Sequence, residues 1–279
     1  MTAFIRHCAT TLCLTLWAVM LVAPVRAADR ADLETFLEIT GFDVALESIR
    51  LSARSAPQML GLEADDFGSE WTRLVGRVFD TDLMHELSMD ILEQTLTDEL
   101  LAHGNAFYSS DLGVKLVRAE NASHMMEDED LKSESGQTIV AGLVQIGSPR
   151  LGILKRLNAA SNTADHSIRA IQEVQVRFLM AAAAAGVFEL SMEEPDLREA
   201  LKSREGEMRL SMQASGLAGA AYTYQAFSDS EMLDYAQALE DPRMQRLYEL
   251  MNAVQFEIMA NRYEAVAVEM QNLRPSQDL

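Results

Sequence analysis

Three groups of side chains in this sequence have types that could do chemistry. His124-Met125-Met126 is the densest soft-ligand cluster, in a chain with 16 methionines and five histidines, and thioether sulfur suits Cu(I). Adjacent residues on a helix point in different directions, however, so these three do not converge on one ion. Most of the methionines recur at helical core spacing, where methionine is ordinary filler. Neither a metal site nor a cofactor is expected. Tyr108, Ser109, Ser110 and Lys115 form a second group, placed like a polar site at a helix N-terminus, where anions bind well. The plainer assignment gives Ser110 to capping, Phe107 and Tyr108 to packing, and Gly113 to a close helix approach. The third group, Glu127-Asp128-Glu129-Asp130, lacks the alternating ligands and glycine of a calcium loop and reads as a solvated helix start.

Catalytic motifs are scarce. Glu134-Ser135 followed by Gly142-Leu143-Val144-Gln145-Ile146 resembles the E-S and G-L-M-Q motifs of lytic transglycosylases, where a longer segment folds the glutamate into a sugar cleft. Here only residues 136–141 separate the two, and the asparagine-proline stretch of that family is missing. The sequence has no G-x-S-x-G elbow, no H-E-x-x-H and no phosphate loop. No catalytic residue is expected.

The elements that would position such groups are organised around Leu96–Leu116, LTDELLAHGNAFYSSDLGVKL, and a weaker echo at Phe227–Leu247, FSDSEMLDYAQALEDPRMQRL. Each reads as a helix, a tight break and the start of a second helix. Thr97 is an N-cap candidate, with Asp98 and Glu99 placing negative charge in the first turn. Leu96 and Leu101 have the spacing of a hydrophobic staple. Phe227, Ser228 and Met232 repeat the device, and Glu231 completes a capping box with Ser228. Ser110-Asp111 and Asp241-Pro242 restart the chain as N-cap pairs, proline being well tolerated at the first helical position. Only Asp98/Asp229 and Leu116/Leu247 are identical, so the repeat is one of pattern.

Leu96, Thr97, Glu99, Phe107, Tyr108, Ser110, Gly113, Lys115 and Leu116 together resemble the motif of the bacterial envelope family called domain of unknown function 2059. Asp111 stands where that family usually has proline, and Val114 where it usually has glutamine. The second stretch keeps Phe227, Ser228, Pro242, Gln245, Arg246 and Leu247, but lacks the aromatic pair and the glycine. The resemblance implies an envelope location and an all-helical fold, and brings no established activity.

Residues 1–27 read as a cleavable signal peptide: Arg6, an apolar Cys8–Val25 run, and Val25-Arg26-Ala27 before Ala28. A retained anchor is the alternative, and Pro24 with the small residues near the end favours cleavage. Both cysteines, Cys8 and Cys13, leave with this segment, so the mature chain has no disulfide and no thiolate. The formal net charge of −20 becomes −22 once Arg6 and Arg26 are removed. Such a surface repels phosphates and anionic lipid, so nucleic acid is not an expected partner. The apolar run 178–188 is too short to cross a bilayer, so no transmembrane segment is expected in the mature chain.

Helical spacing recurs along the remainder. It predicts helices over 29–40, 42–55, 66–79 and from Thr81 into the central motif, then 150–157, 163–185, 195–212 and 242–272. Residues 137–146 could be a strand, and helix is the better reading in this context. Gly216 and Gly219 are expected to loosen the approach to the second motif. The fold expected is all-α, a helical bundle built from two related helical-hairpin halves, 28–148 and 149–279, packed continuously. The expected function is non-catalytic: a periplasmic protein that binds another, unknown protein or supports envelope integrity. A cell-wall-directed hydrolase is the alternative, and a periplasmic copper binder the third. A cleft holding a buried glutamate would favour the hydrolase, convergent Met and His the metal binder, and a large exposed apolar patch the interaction protein.

Overall fold

A computed structural model describes residues 29–126, 128–161 and 163–273, and of 163–166 the backbone alone. Residues 1–28, with the expected signal peptide, and Glu127, Asn162 and 274–279 lie outside the described residues. The helices, in order, are α1 (Arg30–Thr40), α2 (Phe42–Ser52), α3 (Ser69–Val78), α4 (Thr81–Thr95), α5 (Asp98–Tyr108), α6 (Asp111–His124), α7 (Glu129–Gln145), α8 (Arg150–Ala160), α9 (Thr163–Ala184), α10 (Glu194–Lys202), α11 (Glu205–Thr223), α12 (Asp229–Leu239) and α13 (Pro242–Glu269). The fold is all-α, with no strand among the described residues. Residues 137–146 accordingly lie within α7, apart from Ile146 as its C-cap.

Local chemistry sets most boundaries. The Asp29 side chain accepts the Ala31 N–H at 3.0 Å to start α1. Gly41 ends it at φ 68°, a left-handed conformation that costs glycine nothing. Beyond Ser52 the chain tightens into 3-10 turns through Pro57, since proline offers no N–H to continue an α-helix. Trp71 anchors the following α3, its indole N–H donating to the Arg54 carbonyl at 2.9 Å.

One principal core runs through the chain. Leu33, Phe36 and Leu37 of α1, Met84, Met89 and Leu92 of α4, Val174 and Phe178 of α9, and Val254, Ile258 and Val266 of α13 all belong to it. The long α13 is its axis, packing on α9 and on α3, α4 and α5. Tyr263 meets Phe79 and Phe178 edge-on, with ring centroids 5.4 and 6.0 Å apart. A second, small core joins α8 to α11 through Leu154, Ala220 and Ala221. There α7 lies so close on α11 that a Cβ at Gly136 would stand 2.2 Å from the Ala218 carbonyl oxygen.

Two expectations are corrected. The charged helix over 195–212 is two helices, because α10 stops at Lys202 and α11 begins at Glu205. The Gln172 amide donates to the Leu201 carbonyl at 3.1 Å, giving the last turn of α10 a partner outside its own helix. Gly216 and Gly219 do not loosen the approach either: both lie inside α11. No helix among the described residues is long and apolar enough to cross a membrane.

Candidate functional site

The α5–α6 hairpin is built by the devices its residues suggest. Thr97 accepts the Leu100 N–H at 3.3 Å, and Leu96 and Leu101 are both buried. Glu99 is exposed in the first turn of α5. Ser110 accepts the Gly113 N–H at 3.1 Å to restart the chain as α6. The close approach at Gly113 is within the hairpin: a Cβ there would stand 2.3 Å from the Phe107 carbonyl oxygen. With α6 held so tightly, Gly113, Leu116 and Val117 face inward. One helical turn further, on the same stripe, comes Glu120.

The α12–α13 hairpin meets this one side chain to side chain. Ser228 and Glu231 form the full capping box, and Asp241 caps α13 at Arg243 N, 2.8 Å away, with Pro242 at its first position. Lys115 reaches across to Glu231 at 2.6 Å and lies 4.3 Å from the centroid of the buried Phe227 ring. Phe107 stacks on Tyr235, centroids 5.9 Å apart and planes 13° from parallel. Leu247 packs against Gly104, where a Cβ would stand 2.7 Å from its Cδ2. Most of the motif residues are therefore capping and packing groups that join the two hairpins.

What they enclose is a carboxylate ringed by tyrosines. Tyr224 donates to Glu120 Oε1 at 2.7 Å and Tyr235 at 3.0 Å. The Tyr235 and Tyr248 hydroxyls are 2.6 Å apart, and those of Tyr108 and Tyr248 3.0 Å. Proton counting orders this chain when Glu120 is ionised. Tyr235 spends its one proton on Glu120, so Tyr248 must donate to Tyr235 and Tyr108 to Tyr248. Every hydroxyl proton then points toward the carboxylate. Four of the six tyrosines in the sequence are used this way.

Glu120, Tyr224, Tyr235 and Tyr248 lie along a cleft of about 430 Å³, whose other walls include Ser123, His124, Asn158, Gly216, Gly219 and Thr223. No lysine or arginine lines it among the described residues. Desolvation pushes the Glu120 carboxyl above its ordinary range, while the Tyr224 and Tyr235 hydroxyls pull it back. Burial, and then the charge of Glu120, push the Tyr224 and Tyr235 phenols well above theirs. A carboxylate in a cleft without a lysine or arginine is costly to keep ionised, which makes Glu120 a candidate functional residue.

None of Glu120, Tyr224, Tyr235 and Tyr248 is singled out as a candidate site residue by the sequence motifs. The signal for Glu120 is its place in the series Gly113, Leu116, Val117, Glu120, an acid on an otherwise apolar stripe. Glu134, by contrast, is exposed on α7. Met125 is exposed beside His124, and no group of three or more His, Cys, Asp or Glu among the described residues is arranged to hold a metal ion.

Residues 82–141 match the family described as "Uncharacterized protein conserved in bacteria", domain of unknown function 2059. It is the family that the FYSSDLGVKL stretch resembles. The match spans about a fifth of the chain, including the α5–α6 hairpin and Glu120, and stops well before the second motif. No curated protein and no solved structure matches the chain.

Proposed function

We propose that this is an exported, non-catalytic binding protein whose ligand is a small polar molecule held in the Glu120 cleft. The observation that carries the reading is the carboxylate itself, half-buried and, among the described residues, bonded by tyrosine hydroxyls with no lysine or arginine lining the cleft. The cleft volume falls within the range of small-molecule pockets. Two glycines of α11 line it, and a Cβ at Gly219 would meet nothing within 4 Å. Glycine within a helix costs about 0.5–1 kcal/mol relative to alanine; here it leaves room. The export arm of the proposal rests on the Arg6-to-Ala27 segment, and intact mass of the envelope protein should show a chain beginning near Ala28.

Gly219→Leu tests the binding arm. The variant fills the cleft while improving helix propensity, so it should melt at least as high as the wild type. A thermal-shift screen of small metabolites should give wild-type binders that the variant no longer takes. No binder, or binders indifferent to Gly219→Leu, would overturn the reading.

A second reading has one specific observation behind it. A glutamate in a cleft with its carboxyl raised by desolvation is what a cell-wall hydrolase would use as its general acid. No second carboxylate lines the cleft among the described residues, whereas glycoside hydrolysis ordinarily uses a pair. Release of soluble fragments from purified sacculi by the wild type, absent with Glu120→Gln, would favour this reading over binding.

A further inference from the structure

Granting the binding cleft, the class of its ligand follows from what surrounds Glu120 in it. Its carboxylate has no lysine or arginine along the cleft to balance it among the described residues. Two basic side chains that bond the backbone of cleft residues, Lys132 at the Ser123 carbonyl and Arg150 at the Tyr224 carbonyl, are already engaged: Lys132 pairs with Glu129 at 2.9 Å, and Arg150 with Asp229 at 2.6 Å. Each tyrosine hydroxyl proton is spent within the chain that ends on Glu120. Around Glu120 the cleft thus presents negative charge and aromatic rings, with no free donor among the tyrosines, while Ser123, His124, Asn158 and Thr223 are polar walls further along it. An anion would meet repulsion there, and a ligand oxygen seeking a donor would find none among the tyrosines. An organic cation needs neither, since the ring quadrupoles and the carboxylate attract positive charge directly.

We infer that the cleft takes an organic ammonium cation, with Glu120 as its counter-ion and the Tyr224 and Tyr248 rings beside it. The inference rests on the proposed binding function and deepens it. A quaternary ammonium is the simplest probe of the class, asking only for charge and aromatic surface; a primary amine would in addition find Glu120 Oε2, since Tyr224 and Tyr235 both donate to Oε1. The formal charge of −20 favours approach of any cation, raising its local concentration at low salt.

Choline and 3,3-dimethylbutan-1-ol have nearly the same shape and differ in the charge. Titrated calorimetrically into the full chain, choline should bind at least about tenfold more tightly than the neutral isostere. Glu120→Gln, close in shape, should bind choline more weakly and narrow that preference, the rings remaining. Gly219→Leu should bind neither. Equal affinity of the wild type for both probes, or choline binding untouched by Glu120→Gln, would overturn the inference. If choline fails while a neutral or anionic metabolite is lost in Gly219→Leu, the cleft stands as a binding site and the ammonium class falls. If Gly219→Leu alters the binding of nothing, the cleft itself is not the site.

Discussion

The two hairpins, α5–α6 and α12–α13, share a backbone plan and differ in what they bury. Each opens with a capped helix of 11 residues, turns through two residues and restarts on a second capped helix. At matching places small and large side chains are exchanged. Tyr235 stands where the first hairpin has Gly104, Leu239 where it has Tyr108, and Met244 where it has Gly113. The first hairpin closes where Gly113 has no side chain, and the second carries the buried Met244 at the matching place. Their contributions to the cleft divide accordingly. The tightly held α6 supplies the charge of Glu120, and the second hairpin supplies Tyr235 and Tyr248. Neither hairpin makes the site alone, so one helical scaffold can carry complementary halves of a polar network.

The largest expected break in this comparison is at the point of closure. Gly113→Leu drives a side chain into the Phe107–Tyr108 backbone, which cannot step aside, and should cost about 3 kcal/mol or more. Met244→Leu, at the matching place, is a near volume-conserving change and should cost less than about 1.5 kcal/mol. Urea melts of the two variants measure both. Equal losses would show that the hairpins close in the same way.

Next in size is the polarity of the tyrosine chain. Tyr235→Phe removes a donor from Glu120 and the acceptor of Tyr248 together, leaving two buried groups short, and should cost about 1–3 kcal/mol. Tyr108→Phe removes only the outermost donor, and should cost about 1 kcal/mol or less. Chemical denaturation decides, and a reversed order would mean that the protons run the other way. Phe107 itself is partly exposed, so its truncation should cost less than that of a fully buried aromatic.

Much of this architecture is local chemistry and therefore legible in the sequence. The caps at Thr97, Ser110, Ser228 and Asp241, and the apolar stripes of α5 and α13, need no more than neighbours three or four residues away. The Glu120 site is not local: its tyrosine donors lie 104 and 115 residues along the chain. Periodicity marks Glu120 as an acid on an inward stripe, but cannot say whether a phenol, an arginine or water meets it. The same limit explains the break after Lys202, which answers to Gln172 on another helix. Gly216 and Gly219 mislead for a related reason. Glycine signals a loop when only the backbone is considered, and a wall of a cleft when the neighbouring helices are in place.

The caps give a smaller contrast. Thr97→Ala removes one acceptor at the start of α5 and should cost about 1 kcal/mol. Ser228→Ala removes half of a reciprocal box whose other half, Glu231, also holds Lys115, and should cost somewhat more. Thermal melts would show it, and equal losses would mean that the reciprocal bond adds nothing.

The smallest effect, and the one with opposite signs, is the pH response of the two carboxylates. Glu231 lies exposed to solvent between Lys115 and Ser228, and its carboxyl is drawn from 4.5 down to about 2. Its folded form binds fewer protons than the unfolded chain in that window. The stability it contributes is fully present above pH 4.5 and lost as pH falls toward 2. Screening by solvent keeps that contribution small. Glu120 runs the other way. Burial raises its carboxyl above 4.5, so the folded state holds the proton longer than the unfolded chain does. Its burden on stability is absent below pH 4.5 and grows as pH rises through the raised value. Measured by urea melts at a series of pH values, the advantage of the wild type over Glu231→Gln should shrink as the solution is acidified. The advantage of Glu120→Gln over the wild type should grow as it is made neutral. Taking each difference against the wild type cancels the carboxylates common to both proteins. A Glu120→Gln difference that stays flat with pH would mean that the tyrosine hydroxyls fully offset the desolvation of Glu120, leaving no unbalanced charge in the cleft for a cation to answer.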